Sequence, residues 1–241
     1  MAKITVKGMR LLSTCIIVVL VSVVAVFAFV PERSVLISGK ESYQPYYNGS
    51  RDRKEVSLMF NVYEGSDIVR GILDVLDEYG AKSTFFVGGC WADDNGDVLE
   101  EILTRGHELG NHGYFHLNHK KLSENDNIEE IANNHKVIKG LVGADMNLFA
   151  PPSGAFSTKT LTAAEKLGYK TIMWSKDTVD WRDKDKNIVY KRATKDVANG
   201  DLILMHPKQH TLEALDGILK FYKENGIRAV TVSECIKEND S

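Results

Sequence analysis

A parallel α/β domain behind one N-terminal transmembrane helix is the fold class that this sequence predicts. Apolar strand-like runs alternate with amphipathic helix-like runs from residue 55 onward, which is typical of parallel sheets. An uncharged apolar run lies apart from them, near the N-terminus. The 241 residues, 43% hydrophobic and 26% charged, suffice for one domain with a substantial core. The formal net charge of -3 gives no indication of nucleic-acid binding.

The first 30 residues predict a membrane anchor. Residues 1–10 carry three basic side chains and no acidic one, and residues 11–30 carry no charge. About 20 apolar residues cross the hydrocarbon core as a helix, and the basic flank keeps the N-terminus in the cytoplasm. The alternative is a cleaved signal peptide, since the small residue Ala28 fits a cleavage site, and the domain would then be secreted. The length of the run favours an uncleaved anchor with an extracytoplasmic domain.

A linker is predicted between the anchor and the domain. Residues 31–54 lack periodicity and contain Gly, Ser, Pro and Asn, so the folded domain is expected at 55–241. Of the three cysteines, one lies in the apolar run, which leaves Cys90 and Cys235. An oxidising compartment would permit a disulfide between these two, but the sequence does not give their separation.

The elements of the domain follow from their patterns. The run VSLMFNV reads as a buried strand, and an amphipathic helix follows from Ser66 to Gly80. Later strands are predicted at KSTFFVGG, HELGNH, NLFAPP, KTIMWS, DLILMHP and RAVTVSE. Helices are predicted at DVLEEILTRG, NIEEIANNHKVIKGLVG, STKTLTAAEKLGY and TLEALDGILKFYKENG. The alternation is compatible with a barrel or an open sheet.

Polar and turn residues follow several predicted strands directly. His112, Pro151, Asp177 and His206 each stand just after a strand-like run. In parallel α/β folds, ligands gather at the carboxyl ends of the strands. The pattern therefore predicts a site at this rim of the sheet.

The segment HELGNHGYFHLNH concentrates four of the seven histidines within residues 107–119. His112 and His116 are spaced i, i+4, so on a helical turn both imidazoles would face one ion. Imidazole suits zinc, with cobalt or nickel as alternatives. We expect His107 to pack or cap, and His119, beside two lysines, to lie at the surface.

Four segments in order resemble the motifs of the polysaccharide deacetylases, the NodB-homology or carbohydrate esterase family 4 proteins. They are GHELGNHGYFH, FAPPSG, WSKDTVDW and LILMHP, and the likeness covers about residues 56–236. The resemblance implies a distorted (β/α) barrel of about seven strands. It also implies metal-dependent hydrolysis of the N-acetyl amide of a cell-wall or related glycan, releasing acetate, with His112 and His116 as metal ligands.

The first and third motifs depart from this family. Matching LMFNVYEG on Phe60 places Asn61 at the catalytic base and Val62 at a metal carboxylate. Ala150 stands where the family has an arginine that pairs with the base. The losses agree with each other, because an unpaired buried arginine would cost several kcal/mol.

Other family positions are retained. By resemblance, His206 protonates the leaving amine and Asp180 orients it. The resemblance also implies that Trp181 and Leu204 wall the acetyl pocket, and the backbone N–H near Ser153 is a candidate to stabilise the oxyanion. The ordinary alternatives are a structural Asp–His hydrogen bond and plain core residues.

Three functional readings follow. In the first, Glu64 replaces the lost carboxylate as third metal ligand and the domain is an active deacetylase, because two histidines and one carboxylate form a known catalytic zinc set. In the second, the domain binds glycan or metal without hydrolysis. In the third, an anchored envelope scaffold only uses the fold. The retained pair of Asp180 and His206 favours the first.

Overall fold

The computed structural model describes residues 43–237. The predicted basic tail (1–10), the anchor (11–30) and most of the predicted linker lie outside the described residues. Among residues 43–237, no helix combines the length and apolar character that crossing a membrane requires. The anchor and the extracytoplasmic location therefore stay predictions.

Eight strands form one sheet in the described part of the chain. Their bounds are β1 Glu55–Val62, β2 Thr84–Val87, β3 Glu108–Asn111, β4 Leu148–Phe149, β5 Lys170–Thr171, β6 Lys176–Asp177, β7 Leu202–Met205 and β8 Arg228–Ala229. The order is β5-β4-β3-β2-β1-β7-β6, with β8 also pairing with β1, and every pairing is parallel. The sheet is thus a curled half-barrel with β5 and β6 at the two ends of the path, in place of the expected barrel.

Helices connect the strands. Their bounds are α1 Ser66–Glu78, α2 Gly89–Ala92, α3 Gly96–Thr104, α4 Glu124–Val142, α5 Thr158–Lys166, α6 Lys186–Thr194, α7 Gln209–Glu224 and α8 Val232–Ile236. Local chemistry sets their ends: at α4, Ser123 and Asp126 form a reciprocal capping box, and Gly143 ends the helix with φ 70°. The predicted alternation of strands and helices is confirmed.

Apolar side chains form a separate core on each face of the sheet. Phe60, Val62 and Phe85 pack with the surrounding helices in the larger core. Met59, Phe86 and a second set that includes Leu204 form the smaller core. Successive residues of β1 therefore face opposite cores, as the period of two along a strand requires.

Two local expectations were wrong. The compact unit begins at Tyr43, because Tyr46 pairs with Ile172 and Gly49 packs against Cys235, so residues 43–54 belong to the domain. The tail RAVTVSE holds a two-residue strand and then α8, which Thr231 caps by accepting a hydrogen bond from the Glu234 N–H. The pattern also gave no indication of β6, α2 or α6. Cys90 and Cys235 are both free thiols, so they form no disulfide.

Candidate active site

A cavity of about 600 Å³ opens at the carboxyl ends of the central strands. It collects all the predicted site residues except Asp180, namely Asn61, Glu64, His112, His116, Ser153, Trp181, Leu204 and His206. Asp180 is buried and reaches the cavity through its hydrogen bond to His206. The structure thus brings the predicted site residues together at this rim.

The two predicted metal-binding histidines lie side by side in the cavity. The ring centroids of His112 and His116 are 5.1 Å apart. His112 Nδ1 lies 2.7 Å from the Ala150 carbonyl oxygen, and because a carbonyl only accepts, Nδ1 carries the proton and Nε2 keeps a free lone pair. Burial lowers the pKa of His112 to about 3 and also lowers the pKa of His116. Both imidazoles are therefore neutral near pH 7, the form that binds a metal ion.

A loop, and not a helical turn, brings these histidines together. Residues 112–118 are irregular, with φ 73° at Gly113 and φ 57° at His116. The buried Glu130 carboxylate on α4 accepts hydrogen bonds from the Tyr114 and Phe115 N–H groups, each at 3.0 Å. The left-handed residues and Glu130 fix the loop. The expected i, i+4 helical geometry was therefore wrong, although the two imidazole rings do lie side by side.

The other two histidines of the segment are structural. His107 is buried, as expected, and its Nδ1 accepts a hydrogen bond from the Ser83 N–H at 3.3 Å. His119 is fully buried, so its predicted surface position was wrong. Its Nδ1 atom lies 2.7 Å from Asn127 Oδ1, and its ring packs on Phe149. The neighbouring lysines misled the prediction, because a 3₁₀ turn points His119 inward.

Asp180, His206 and Thr211 form what we call the histidine–carboxylate cluster. Asp180, 1% exposed, accepts hydrogen bonds from His206 Nδ1, the His206 N–H and Thr211 Oγ1, each at 2.7 Å. Burial raises the pKa of Asp180, but the hydrogen bonds from His206 and Thr211 outweigh it and the net shift is downward. Asp180 is therefore an ionised and rigid acceptor that orients the imidazole. The sequence did not single out Thr211.

We call Asn61, Val62 and Ala150 the neutral cluster after their shared chemistry, since the family motifs carry charged side chains at these three positions. Asn61 lies at the end of β1 and lines the cavity. Val62, the next residue, faces the larger core and not the cavity, and Ala150 is fully buried in the smaller core. The strand geometry thus points the side chain matched to a metal carboxylate away from the histidines.

Glu64 lines the cavity but makes an ion pair with Lys208. Its side chain is 67% exposed, and the hydrogen bond from Lys208 lowers its pKa. Within residues 43–237, no three His, Cys, Asp or Glu side chains are grouped closely enough to hold a metal ion. Glu64 as the third ligand therefore stays a prediction, and it requires Glu64 to leave Lys208. Its rival Asp67 lies in the first turn of α1 beside Arg70.

The remaining predicted residues shape the cavity wall. Leu204 is buried, and Trp181 is 54% exposed, so together they offer an apolar floor and lip. Ser153 has φ 54°, a left-handed conformation that is uncommon outside glycine and is often retained at functional sites. The role of its N–H towards an oxyanion stays a prediction.

The donor chemistry of the site fits a divalent ion in part. Two neutral, adjacent imidazoles suit zinc and related borderline ions. Among the described residues, no third donor side chain is grouped with the pair, so a bound ion would need a side-chain rearrangement or additional water. His112 and His116 are the residues that would hold it.

Comparison with known proteins agrees with this geometry. The sequence model of the polysaccharide deacetylase family matches residues 48–172. YlxY of Bacillus subtilis is 32% identical over 195 residues, which are 81% of this chain and 61% of the relative. A peptidoglycan-N-acetylglucosamine deacetylase of Bacillus cereus is 32% identical over 192 residues, 77% of this chain and 90% of the relative.

Solved structures share the fold. A carbohydrate esterase family 4 pseudoenzyme from Bacillus anthracis superposes with a TM-score of 0.79 at 32% identity, covering 81% of this chain and 70% of the other. A mutant of that pseudoenzyme with restored enzymatic activity superposes equally, at 31% identity over 81% of this chain and 72% of the other. A peptidoglycan N-acetylglucosamine deacetylase superposes with a TM-score of 0.78 at 28% identity over 83% and 96% of the two chains.

The chain belongs to the polysaccharide deacetylase family. Members of this family that resemble it are named as peptidoglycan deacetylases, which are hydrolases of amide-linked acetyl groups. The B. anthracis pseudoenzyme shows that the fold also occurs without that activity.

Proposed function

We propose that this domain binds N-acetylated glycan of the peptidoglycan type in the cavity and hydrolyses its acetamide bond, releasing acetate and leaving an amine on the sugar. The observation that carries the proposal is the intact hydrogen-bonded pair of His206 and Asp180 in the same cavity as His112 and His116. The peptidoglycan deacetylases among the relatives support this choice of substrate.

The residues of the chain have separate tasks in this proposal. Leu204 and Trp181 receive the acetyl methyl group against apolar surface. The Asp180 carboxylate holds the Nδ1 proton of His206 and stabilises the imidazolium, so His206 can deliver a proton from Nε2 to the leaving nitrogen. The Ser153 N–H would donate to the oxyanion.

The reaction depends on a divalent metal, with zinc the most suitable and cobalt or nickel as alternatives. Held by His112 and His116, with Glu64 as the proposed third ligand, the ion would supply Lewis-acid polarisation of the carbonyl and activation of water. Asn61 cannot accept a proton from water because a carboxamide is not basic. We therefore expect a rate about 10²–10⁴-fold below that of a member with the catalytic aspartate.

The proposal places the domain outside the cytoplasm, held by residues 11–30. The support is the uncharged apolar run behind three basic residues. Full-length protein should sediment with membranes and resist salt extraction. A soluble exported species that begins near residue 29 would show cleavage instead.

The test is acetate release by the purified full chain from acetylated N-acetylglucosamine oligomers, with added zinc and after chelation. We expect slow release that zinc restores, loss of release in His206→Ala, and loss of tight zinc binding in His112→Ala and His116→Ala. His135→Ala, at a part-buried histidine outside the cavity, is the matched control. Release that is unaffected by His206→Ala, or is undetectable in wild type, would overturn the proposal.

Binding without hydrolysis is the second candidate. The specific observation that favours it is the neutral cluster, which supplies neither a base nor a metal carboxylate. The likeness to a pseudoenzyme agrees with it. Saturable binding of the oligomers without acetate release would select this candidate.

A further inference from the structure

Asn61 is a buried carboxamide whose oxygen has no hydrogen-bond partner in the described part of the chain. Its side chain is 5% exposed, and within residues 43–237 nothing donates to Oδ1. Leaving a buried acceptor unpaired costs about 1–3 kcal/mol, so such a group in a native cavity calls for an explanation. Because Asn61 lines the cavity, a ligand can supply the missing donor.

The cavity that Asn61 lines combines apolar surface with polar groups. Leu204 and Trp181 provide apolar surface in the same cavity. Of the acidic side chains at the cavity, Asp180 binds His206, Glu64 binds Lys208, and Asp177 accepts a hydrogen bond from the Val179 N–H. An uncharged polar group attached to a methyl group matches this environment, whereas an unpaired charge would be desolvated at a high cost.

We propose that Asn61 is a specificity-determining residue that accepts a hydrogen bond from the acetamido N–H of the glycan. The inference rests on glycan binding in the proposed function. The acetyl methyl group packs towards Leu204 while the N–H donates to Oδ1, so both parts of the acetamide are recognised. A deacetylated sugar carries an ammonium group near neutral pH, lacks the methyl group, and meets an amide in place of a carboxylate at Asn61. The cavity therefore distinguishes acetylated from deacetylated glycan.

The test is calorimetric binding of the N-acetylglucosamine tetramer and its fully deacetylated counterpart to the purified full chain. We expect wild type to prefer the acetylated tetramer. Asn61→Leu should bind it about three- to tenfold more weakly, the equivalent of one net hydrogen bond. Asn61→Asp should shift the preference towards the deacetylated tetramer, because a carboxylate pairs with the ammonium group.

Controls separate this inference from a folding defect and from the proposed hydrolysis. Asn133→Leu, on the exposed face of α4, should leave both affinities unchanged. Thermal midpoints and near-ultraviolet circular dichroism check that each variant is folded, and Asn61→Asp keeps the side-chain volume if Asn61→Leu does not fold.

The outcomes are distinct. Selective binding that depends on Asn61, without acetate release, supports this inference and overturns the proposed hydrolysis. Acetate release with unchanged affinity and selectivity in the Asn61 variants overturns the inference and leaves the hydrolysis standing. Failure of wild type to bind either tetramer overturns both.

Discussion

The histidine–carboxylate cluster and the neutral cluster each contribute a side chain to one cavity, His206 and Asn61, and have different characters. In the first, the Asp180 carboxylate is saturated by three hydrogen bonds of 2.7 Å. In the second, Asn61 Oδ1 has no partner within the described residues, and Val62 faces the core. The group to which the proposed function gives the leaving nitrogen is therefore intact, whereas the positions expected to activate water carry no charge.

The largest effect should come from the histidine–carboxylate cluster. Asp180→Asn removes the charge that orients and stabilises protonated His206, so acetate release should fall about 10²–10⁴-fold. Zinc affinity, measured by calorimetry, should change little because His112 and His116 are untouched. Asp183→Asn, in an exposed ion pair, is the matched control. Full activity in Asp180→Asn would make the cluster structural only.

The neutral cluster should respond in stability when a charge is introduced. Val62→Asp places a carboxylate in the larger core, where an unpaired buried charge costs about 3–5 kcal/mol. Asn61→Asp should cost clearly less, because its side chain borders the cavity. Urea denaturation of both variants measures the difference. Equal stability would mean that residue 62 can reach the cavity.

His107 and His206 differ in their partners. The His206 imidazole is hydrogen-bonded to a carboxylate, whereas the buried His107 imidazole is not. Burial lowers the pKa of His107 to about 4. Between pH 6.5 and 4 the unfolded chain binds more protons there than the folded one, so stability falls with acidification. For this one histidine, the free energy of unfolding can change by at most about 1.4 kcal/mol per pH unit. The pH dependence of the free energy of unfolding should be shallower in His107→Leu, and an unchanged slope would contradict this.

The smallest effects should come from the cavity mouth. Glu64→Gln should reduce stability by less than about 1 kcal/mol, because its pair with Lys208 is largely exposed. If Glu64 is the third ligand, the same change should weaken zinc binding at least tenfold, about 1.4 kcal/mol. Asp67→Asn should leave zinc affinity unchanged. Equal zinc affinity in wild type and Glu64→Gln would remove Glu64 from the ligand set.

The sequence by itself determined the parallel α/β class and the rim that carries the site. Alternating periodicities identify strands and helices locally, and parallel strands place their carboxyl ends together whatever the details of packing. Spacing made His112 and His116 predictable as neighbours, and the resemblance to the family motifs implied the pair of Asp180 with His206. The substitutions at Asn61, Val62 and Ala150 were also visible in the sequence.

Only the tertiary structure decided how these residues are held. The turn at Gly113 and His116 is fixed by Glu130 from α4, and Thr211 reaches Asp180 from α7, contacts that no local pattern encodes. His119 is buried because α4 and Phe149 cover it, although its neighbours in sequence are lysines. Likewise, the missing partner of Asn61 and the ion pair of Glu64 with Lys208 depend on atoms up to 144 positions apart. Local periodicity reports which face of an element is apolar, whereas the partner of a buried polar atom is set by the packing of distant segments.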